Sequence, residues 1–461
     1  MEKRFYNCHA HCFTYDHVPE YFLTRHVAIS WLLHHKGLRA YIQKAPVSGN
    51  FGIIMRVLKL LLGSSEEKLL RYINFIKYGD RRSAQDVIKS MQNYYPRHTG
   101  FVFLTMDMEY MGAGVPKTDF EEQLKQLEGL KRNPVWEDTV FPFVFCDPRR
   151  LQPQHPRELA VKTSFTGQRF EAGLKSLISN KYYQGIKLYP ALGYFPFDKR
   201  MRPVYDFAVD NCVPLTTHCT IGPVHFKYRL DEQERFHPFL NKTLGEERAI
   251  HYQRYFTHPL NYECLLNHDL LKRYWGPDAP DYTNLKICLG HWGTCADWHN
   301  YLENPWVDIP GRRKHSEWPS LELDNWFTDK EDQGYNYSWF TIICDLMRKY
   351  PNVYADISYT LNDKSLFPLL KMILESDQKI RERVLFGTDF YLVSKDISER
   401  LYSINVKSYL GNELFEQIAI TNAERFLNNK FSQVRNCFWP PEKERSLPNA
   451  RVCDIPSPPN V

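Results

Sequence analysis

The run Cys8-His9-Ala10-His11-Cys12 places two imidazoles two residues apart. On an extended strand, residues i and i+2 share a face, so both rings can reach one metal ion, with Ala10 and Cys8 expected to face a helix layer. A pair of buried, hydrogen-bonded histidines gives the same pattern, so the ends of other strands must decide. Four of them supply a candidate. Lys187 lies in Gly185-Ile186-Lys187-Leu188-Tyr189-Pro190, and His218 ends Val213-Pro214-Leu215-Thr216-Thr217-His218. His291 follows Gly290 in Gly290-His291-Trp292-Gly293, and Asp389 closes Phe386-Gly387-Thr388-Asp389. By strand parity each is the last inward residue of its strand. Five strand ends converging on one rim would suit a divalent ion that keeps one position open to water.

Such convergence needs a parallel sheet with crossover helices. Eight strand candidates are spaced along the chain: Phe5–His11, Phe101–Met106, Val140–Phe145, Gln184–Tyr189, Val213–His218, Leu285–His291, Val353–Ser358 and Arg383–Asp389. Between them the periodicity predicts helices over Asp119–Arg132, Gly167–Asn180, Arg202–Asn211, Lys364–Ile380 and Lys395–Leu410. Eight such units fit one α/β barrel of the (β/α)8 type over residues 1–433. Connections at about 13–100, 219–284 and 292–352 are too long to lack structure of their own, and each follows a strand's C-terminal end. They are expected to be helical insertions forming a lid. Residues 434–461 read as a Pro-rich C-terminal arm.

At 43% hydrophobic and 25% charged, the 461 residues exclude wholesale disorder, collagen and coiled coil. No apolar stretch reaches the roughly 18 residues of a membrane-spanning helix, and Met1–Asn7 lacks the apolar core of a signal peptide. A cytoplasmic chain is expected. Eleven cysteines without a CxxC pair read as reduced thiols. From Val18 to His98, thirteen Lys and Arg face five Asp and Glu, a local excess of +8. Around Arg71, Tyr72, Phe75, Lys77, Tyr78, Arg81 and Arg82 this basic segment is interleaved with rings. A solvated amphipathic lid is preferred there over a nucleic-acid surface, because no recognised binding motif accompanies it. Asp107 and the Asp147, Arg149, Arg150 group are expected to cap helices or line solvated loops, with a substrate-facing role as the alternative.

Taken in order, the HxH, GIKLYP, TTH, LGHWG, Val353-Tyr354-Ala355-Asp356-Ile357-Ser358, LFGTDF and the late helix Ile420–Leu427 make the chain resemble the amidohydrolase superfamily, closest to its amidohydrolase-related branch. The resemblance implies a distorted TIM barrel whose metal, Zn²⁺ for preference and one or two ions in number, is held by His9, His11, His218 and Asp389. His291 matches a position that contacts substrate or metal. Lys187 matches a lysine that is carboxylated and bridges two ions in some members, and pairs with a carboxylate or lines the pocket in others. The implied activity is hydrolysis of an amide, ester, lactone or related bond in a small substrate, and the basic excess of the insertions argues for an anionic one. Asp389 would take the proton of the attacking water, and His291 would orient that water or stabilise the oxyanion. A non-oxidative decarboxylase on the same site is the alternative, and a nucleic-acid-processing protein a third reading. The sequence is compatible with a homo-oligomer and specifies none.

Overall fold

The eight β-rich runs become the eight strands of one parallel sheet in a computed structural model, which describes residues 4–19, 78–79, 81–152, 164–220, 230, 232–239, 241–243, 255–303, 338–432 and 434. They are β1 Tyr6–Ala10, β2 Gly100–Leu104, β3 Val140–Phe145, β4 Gly185–Leu188, β5 Leu215–His218, β6 Ile287–Gly290, β7 Val353–Asp356 and β8 Val384–Leu385, paired in that order. The segment after β8 closes the ring on β1. Cys8 N donates to Phe386 O at 2.8 Å, Asp389 N donates to His9 O at 2.8 Å, and Ala10 bridges Phe390. The α/β barrel is therefore of the expected (β/α)8 type.

Among the helices are α1 Ala84–Gln92, α2 Phe120–Arg132, α3 Gly167–Ser179, α4 Arg202–Asp210, α5 Leu260–Leu266, α6 His268–Trp275, α7 Cys295–Glu303, α8 Trp339–Lys349, α9 Phe367–Ser376, α10 Glu399–Glu416 and α11 Asn422–Leu427. Their starts follow capping chemistry: Asp119 accepts Glu122 N at 2.8 Å to begin α2, and Ser398 accepts Leu401 N at 3.2 Å to begin α10. That second cap explains why the helix expected from Lys395 begins at Glu399. The helix expected over Lys364–Ile380 breaks into a 3₁₀ turn at Lys364–Leu366, then α9, then a short turn from Gln378, because Asp377 stops to cap the last piece. Helices α5 and α6 belong to the second long insertion, α7 and α8 to the third. Most of the first insertion, 20–77, lies outside the described residues, as do 435–461 of the Pro-rich arm. No helix among the described residues is long and apolar enough to cross a membrane.

Two apolar regions result. The larger one packs Ala10, Phe101, Val144, Ile186, Leu215, Ile287 and Ala355 against the helices. The smaller one joins Tyr6, Cys8, Val102, Leu104, Phe141, Phe143, Cys288, Tyr354 and Leu385, drawn from six strands, an arrangement only a barrel interior permits. Phe426 and Leu427 of α11 close it from the strands' N-terminal ends, where Gln184 and Lys286 hydrogen-bond the backbone of Leu427 and Asn428.

Cys8 thus faces the interior, contrary to the expectation that it faces helices. The pairing of β1 with β2 shifts register between Asn7 and Ala10, and this irregularity lets His9 turn inward directly after Cys8. Asn7 holds the distortion: its Oδ1 accepts both His9 N and Thr388 N, each at 3.2 Å. The Asp107, Asp147, Arg149 and Arg150 group also departs from the sequence reading. Instead of solvated loops it forms a buried ion-pair network in which Arg150 binds Asp107 at 2.6 Å and Glu109 at 2.8 Å, while Arg149 binds Asp147 at 2.5 Å. Every one of these charges is spoken for, as buried charges must be.

Candidate metal centre

His9, His11 and Asp389 bring one ligand atom each to within 4.8 Å of one another, and all three are buried. Two glycines make room. A Cβ on Gly387 would lie 2.7 Å from His9 Cβ, and one on Gly290 would lie 2.8 Å from Thr217 O and 3.2 Å from His9 Cε1. Parity alone does not aim the later residues of the rim. Asp389 has φ 65° and His291 φ 70°, so a left-handed backbone just beyond the strand turns each side chain toward the barrel axis.

The protons on these rings can be placed from their partners. His11 Nδ1 is 2.9 Å from Leu104 O, which can only accept, so Nδ1 carries the hydrogen and Nε2 presents a lone pair. His9 Nδ1 is 2.8 Å from Asp356 Oδ2. Burial opposes charge on Asp356, but His9, His291 and Ser358 hold its carboxyl far below the usual range, so His9 Nδ1 is the donor and Nε2 is again a lone pair. His291 Nδ1 faces Ser358 O at 3.3 Å and must donate, so its Nε2 accepts from His218 Nδ1 at 3.1 Å. That leaves His218 Nε2 as a third lone pair.

These acceptors point at one another without a hydrogen between them. Asp389 Oδ1 is 3.2 Å from His11 Nε2 and 3.6 Å from His9 Nε2. Burial works against its charge, yet the imidazoles it faces, His11 first and then His291 and His9, keep the Asp389 carboxyl at about 2, so it too is an anionic acceptor. Among the described residues, His9 Nε2, His218 Nε2 and Asp389 Oδ1 are all buried without a hydrogen-bond partner. Burial also pushes His218 and His11 below the ordinary imidazole range, which keeps both rings neutral and ready to ligate. A cluster of converging lone pairs with one carboxylate is what a divalent cation requires.

The remaining candidates fall as follows. Among the described residues His218 joins none of the three-residue groupings, and its Nδ1 is engaged by His291. His291 has both ring nitrogens occupied. Lys187 lies on the inward face of β4 with Nζ buried and unpartnered, and burial brings it down to about 8, with Asp356 and Asp389 opposing that fall. It makes no ion pair among the described residues. In the basic insertion, Arg71, Tyr72, Phe75 and Lys77 are outside the described residues. Arg81 and Arg82 are exposed, and Tyr78 packs against Phe390 and Tyr391 at 5.0 and 6.0 Å, beside the turn that carries Asp389.

Two residues that complete this centre were not singled out from the sequence. Asp356 accepts from His9, from His291 N at 3.1 Å and from Ser358 N at 3.0 Å, and Ser358 Oγ lies 3.1 Å from His9 Nδ1 and 3.0 Å from His291 Nδ1. The parity rule applied to Val353–Ser358 would have found Asp356, since Tyr354 is interior and residue i+2 shares its face.

A family model described as Amidohydrolase matches residues 153–428. Among solved structures, 5-carboxyvanillate decarboxylase LigW from Sphingomonas paucimobilis is 12% identical, with 92% of this chain and 99% of that one covered and a TM-score of 0.41. A Staphylococcus aureus protein described as an amidohydrolase is 14% identical over 76% and 92%, with a TM-score of 0.39. A Lactobacillus casei ATCC 334 protein described as a metal-dependent hydrolase is 12% identical over 92% and 95%, also at 0.39. No curated protein matches the chain.

Proposed function

The chain belongs to the amidohydrolase family, whose model spans more than half of it, and on that premise we propose a hydrolase that uses one divalent ion, Zn²⁺ for preference, held by His9, His11, His218 and Asp389. The observation that carries the proposal is the set of buried lone pairs facing one another with no proton to share. An ion bound there would supply Lewis acidity toward a substrate carbonyl oxygen and toward water.

The chain's own residues divide the remaining work. Asp389 Oδ1 faces the two imidazoles, and the carboxylate's other oxygen is the acceptor we assign to the proton of the attacking water, to be returned to the leaving group. Asp356 fixes the His9 ring through Nδ1 and so keeps Nε2 deprotonated. His291 fixes His218 in the same sense, and it becomes free to orient water or an oxyanion only when the bond between the two rings opens. Lys187 puts a buried amine on the same inward face, where it would line the pocket beside the single ion. The substrate we infer is a small amide, ester or lactone, anionic to match the basic excess of residues 18–98, and the location cytoplasmic.

Elemental analysis of purified protein should give a divalent transition metal, and exhaustive chelation should abolish activity. Full activity in metal-free protein would reject the centre. Label from heavy-oxygen water in the product supports hydrolysis, whereas CO₂ release without label would move the reaction to decarboxylation on the same residues.

A further inference from the structure

A second mixed donor set lies apart from the histidine cluster, between the segment after β6 and the segment after β7. Helix α7 puts Cys295 and His299 four residues apart on one face. Asp363 comes from the loop after β7, and its Oδ2 is 2.9 Å from His299 Nε2 and 3.9 Å from Cys295 Sγ. The three donor atoms lie within 4.8 Å of one another, and all three residues are half-buried.

The scaffold under them is fixed. Trp298 is fully buried and donates through Nε1 to Trp292 O at 3.0 Å, which anchors α7. Thr360 Oγ1 donates to Gly293 O at 3.1 Å and ties the two segments together. The other oxygen of Asp363 is taken by Ser365 N at 2.9 Å and Ser365 Oγ at 2.8 Å, so the carboxylate cannot rotate freely and Oδ2 stays turned toward α7.

We propose that Cys295, His299 and Asp363 form a second metal site, selective for Zn²⁺ or a similarly borderline-soft divalent ion. A His–Asp ion pair accounts for two of the residues but not for a thiol directed at the same carboxylate oxygen. With ligand bonds of about 2.0–2.1 Å to N and O and about 2.3 Å to S, a tetrahedral ion separates N from O by about 3.3 Å and S from O by about 3.6 Å. The observed 2.9 and 3.9 Å lie within about half an ångström of those edges, a shift that side-chain rotation supplies. Thiolate with imidazole and one carboxylate disfavours Mg²⁺ and Ca²⁺, which take oxygen ligands. The thiol proton leaves to solvent on binding, and water fills the fourth position. An ion there would join the segments that follow His291 and Ser358.

The test uses the full chain stripped of metal and titrated with Co²⁺, read by the near-ultraviolet thiolate-to-cobalt charge-transfer band. The ligand set proposed for the catalytic ion contains no thiol, so this band reports the second site whatever the catalytic centre does. The expected result is two Co²⁺ per chain with the band present. Cys295→Ser should remove the band and one equivalent, and Asp363→Asn should weaken the band-forming event by more than about tenfold. No band in the parent protein at saturating Co²⁺, a band that survives Cys295→Ser, or equal affinity in Asp363→Asn would each overturn the assignment.

Discussion

Replacing Asp356 with Asn tests the tautomer logic of the metal centre with almost no change of shape. Asp356 Oδ1 receives Ser358 N at 3.0 Å, His291 N at 3.1 Å and the Ser358 hydroxyl, and Oδ2 receives His9 Nδ1 at 2.8 Å. An amide has only one acceptor oxygen. Two backbone N–H groups cannot turn away, so the oxygen must stay on their side and the NH₂ must face His9. His9 would then accept at Nδ1 and carry its hydrogen on Nε2, the atom 3.6 Å from Asp389 Oδ1. A protonated Nε2 cannot bind an ion. Disturbing such an outer partner costs about 10- to 100-fold in metal affinity, or about 1.4–2.8 kcal/mol, and loss of the ligand atom places Asp356→Asn at or beyond the upper figure. Competition with a chromophoric chelator measures the affinity, and imidazole ¹⁵N shifts report the tautomer. Parent-like affinity with His9 still protonated at Nδ1 would refute the reasoning.

Asp389→Asn, loaded with metal, should lose about 10²- to 10⁴-fold in turnover while melting near the parent temperature, and unchanged turnover would take the residue out of the mechanism. Glu399 is buried, and burial outweighs the bonds from Tyr95 and Thr388 to raise its carboxyl from 4.5 to about 7. The folded state therefore keeps a proton that the unfolded chain loses, so the contribution of Glu399 to stability is greatest below pH 4.5 and falls by about 3 kcal/mol as the pH rises to about 7. Urea midpoints of the parent should decline across that window and those of Glu399→Gln should stay nearly flat; parallel curves would contradict the shift. For the exposed Arg81 and Arg82, double reversal to Glu should lower the salt sensitivity of kcat/KM without altering metal content, and kinetics indifferent to both salt and reversal would reject substrate steering.

The barrel and most of its rim were legible in the sequence because both follow from period-two patterning. Val140–Phe145 appears as written, and Lys187 and His218 point inward because β4 and β5 are regular. The pattern fails where the backbone leaves the pleat. At β1 the register shift turns Cys8 and His9 inward in succession, and no alternation of residue types announces it. At Asp389 and His291 the strand has already ended, and the correct direction arises from positive φ and not from the parity used to expect it.

What the sequence hid is mostly a matter of charge. Asp107, Asp147, Arg149 and Arg150 follow strands in segments that read as polar loops, because a one-dimensional pattern carries no signal that a carboxylate will meet a guanidinium 43 residues away, as Asp107 meets Arg150. Once paired, each charge can be buried, and polarity ceases to mark exposure. The same reasoning separates these residues from the metal centre. Arg150 and Asp107 complete each other, so the network needs no further ion. His9 Nε2, His218 Nε2 and Asp389 Oδ1 are equally buried and complete nothing among themselves, since all three are acceptors. Burial is common to both groups; what distinguishes the site is that its buried acceptors face one another with no donor among the described residues.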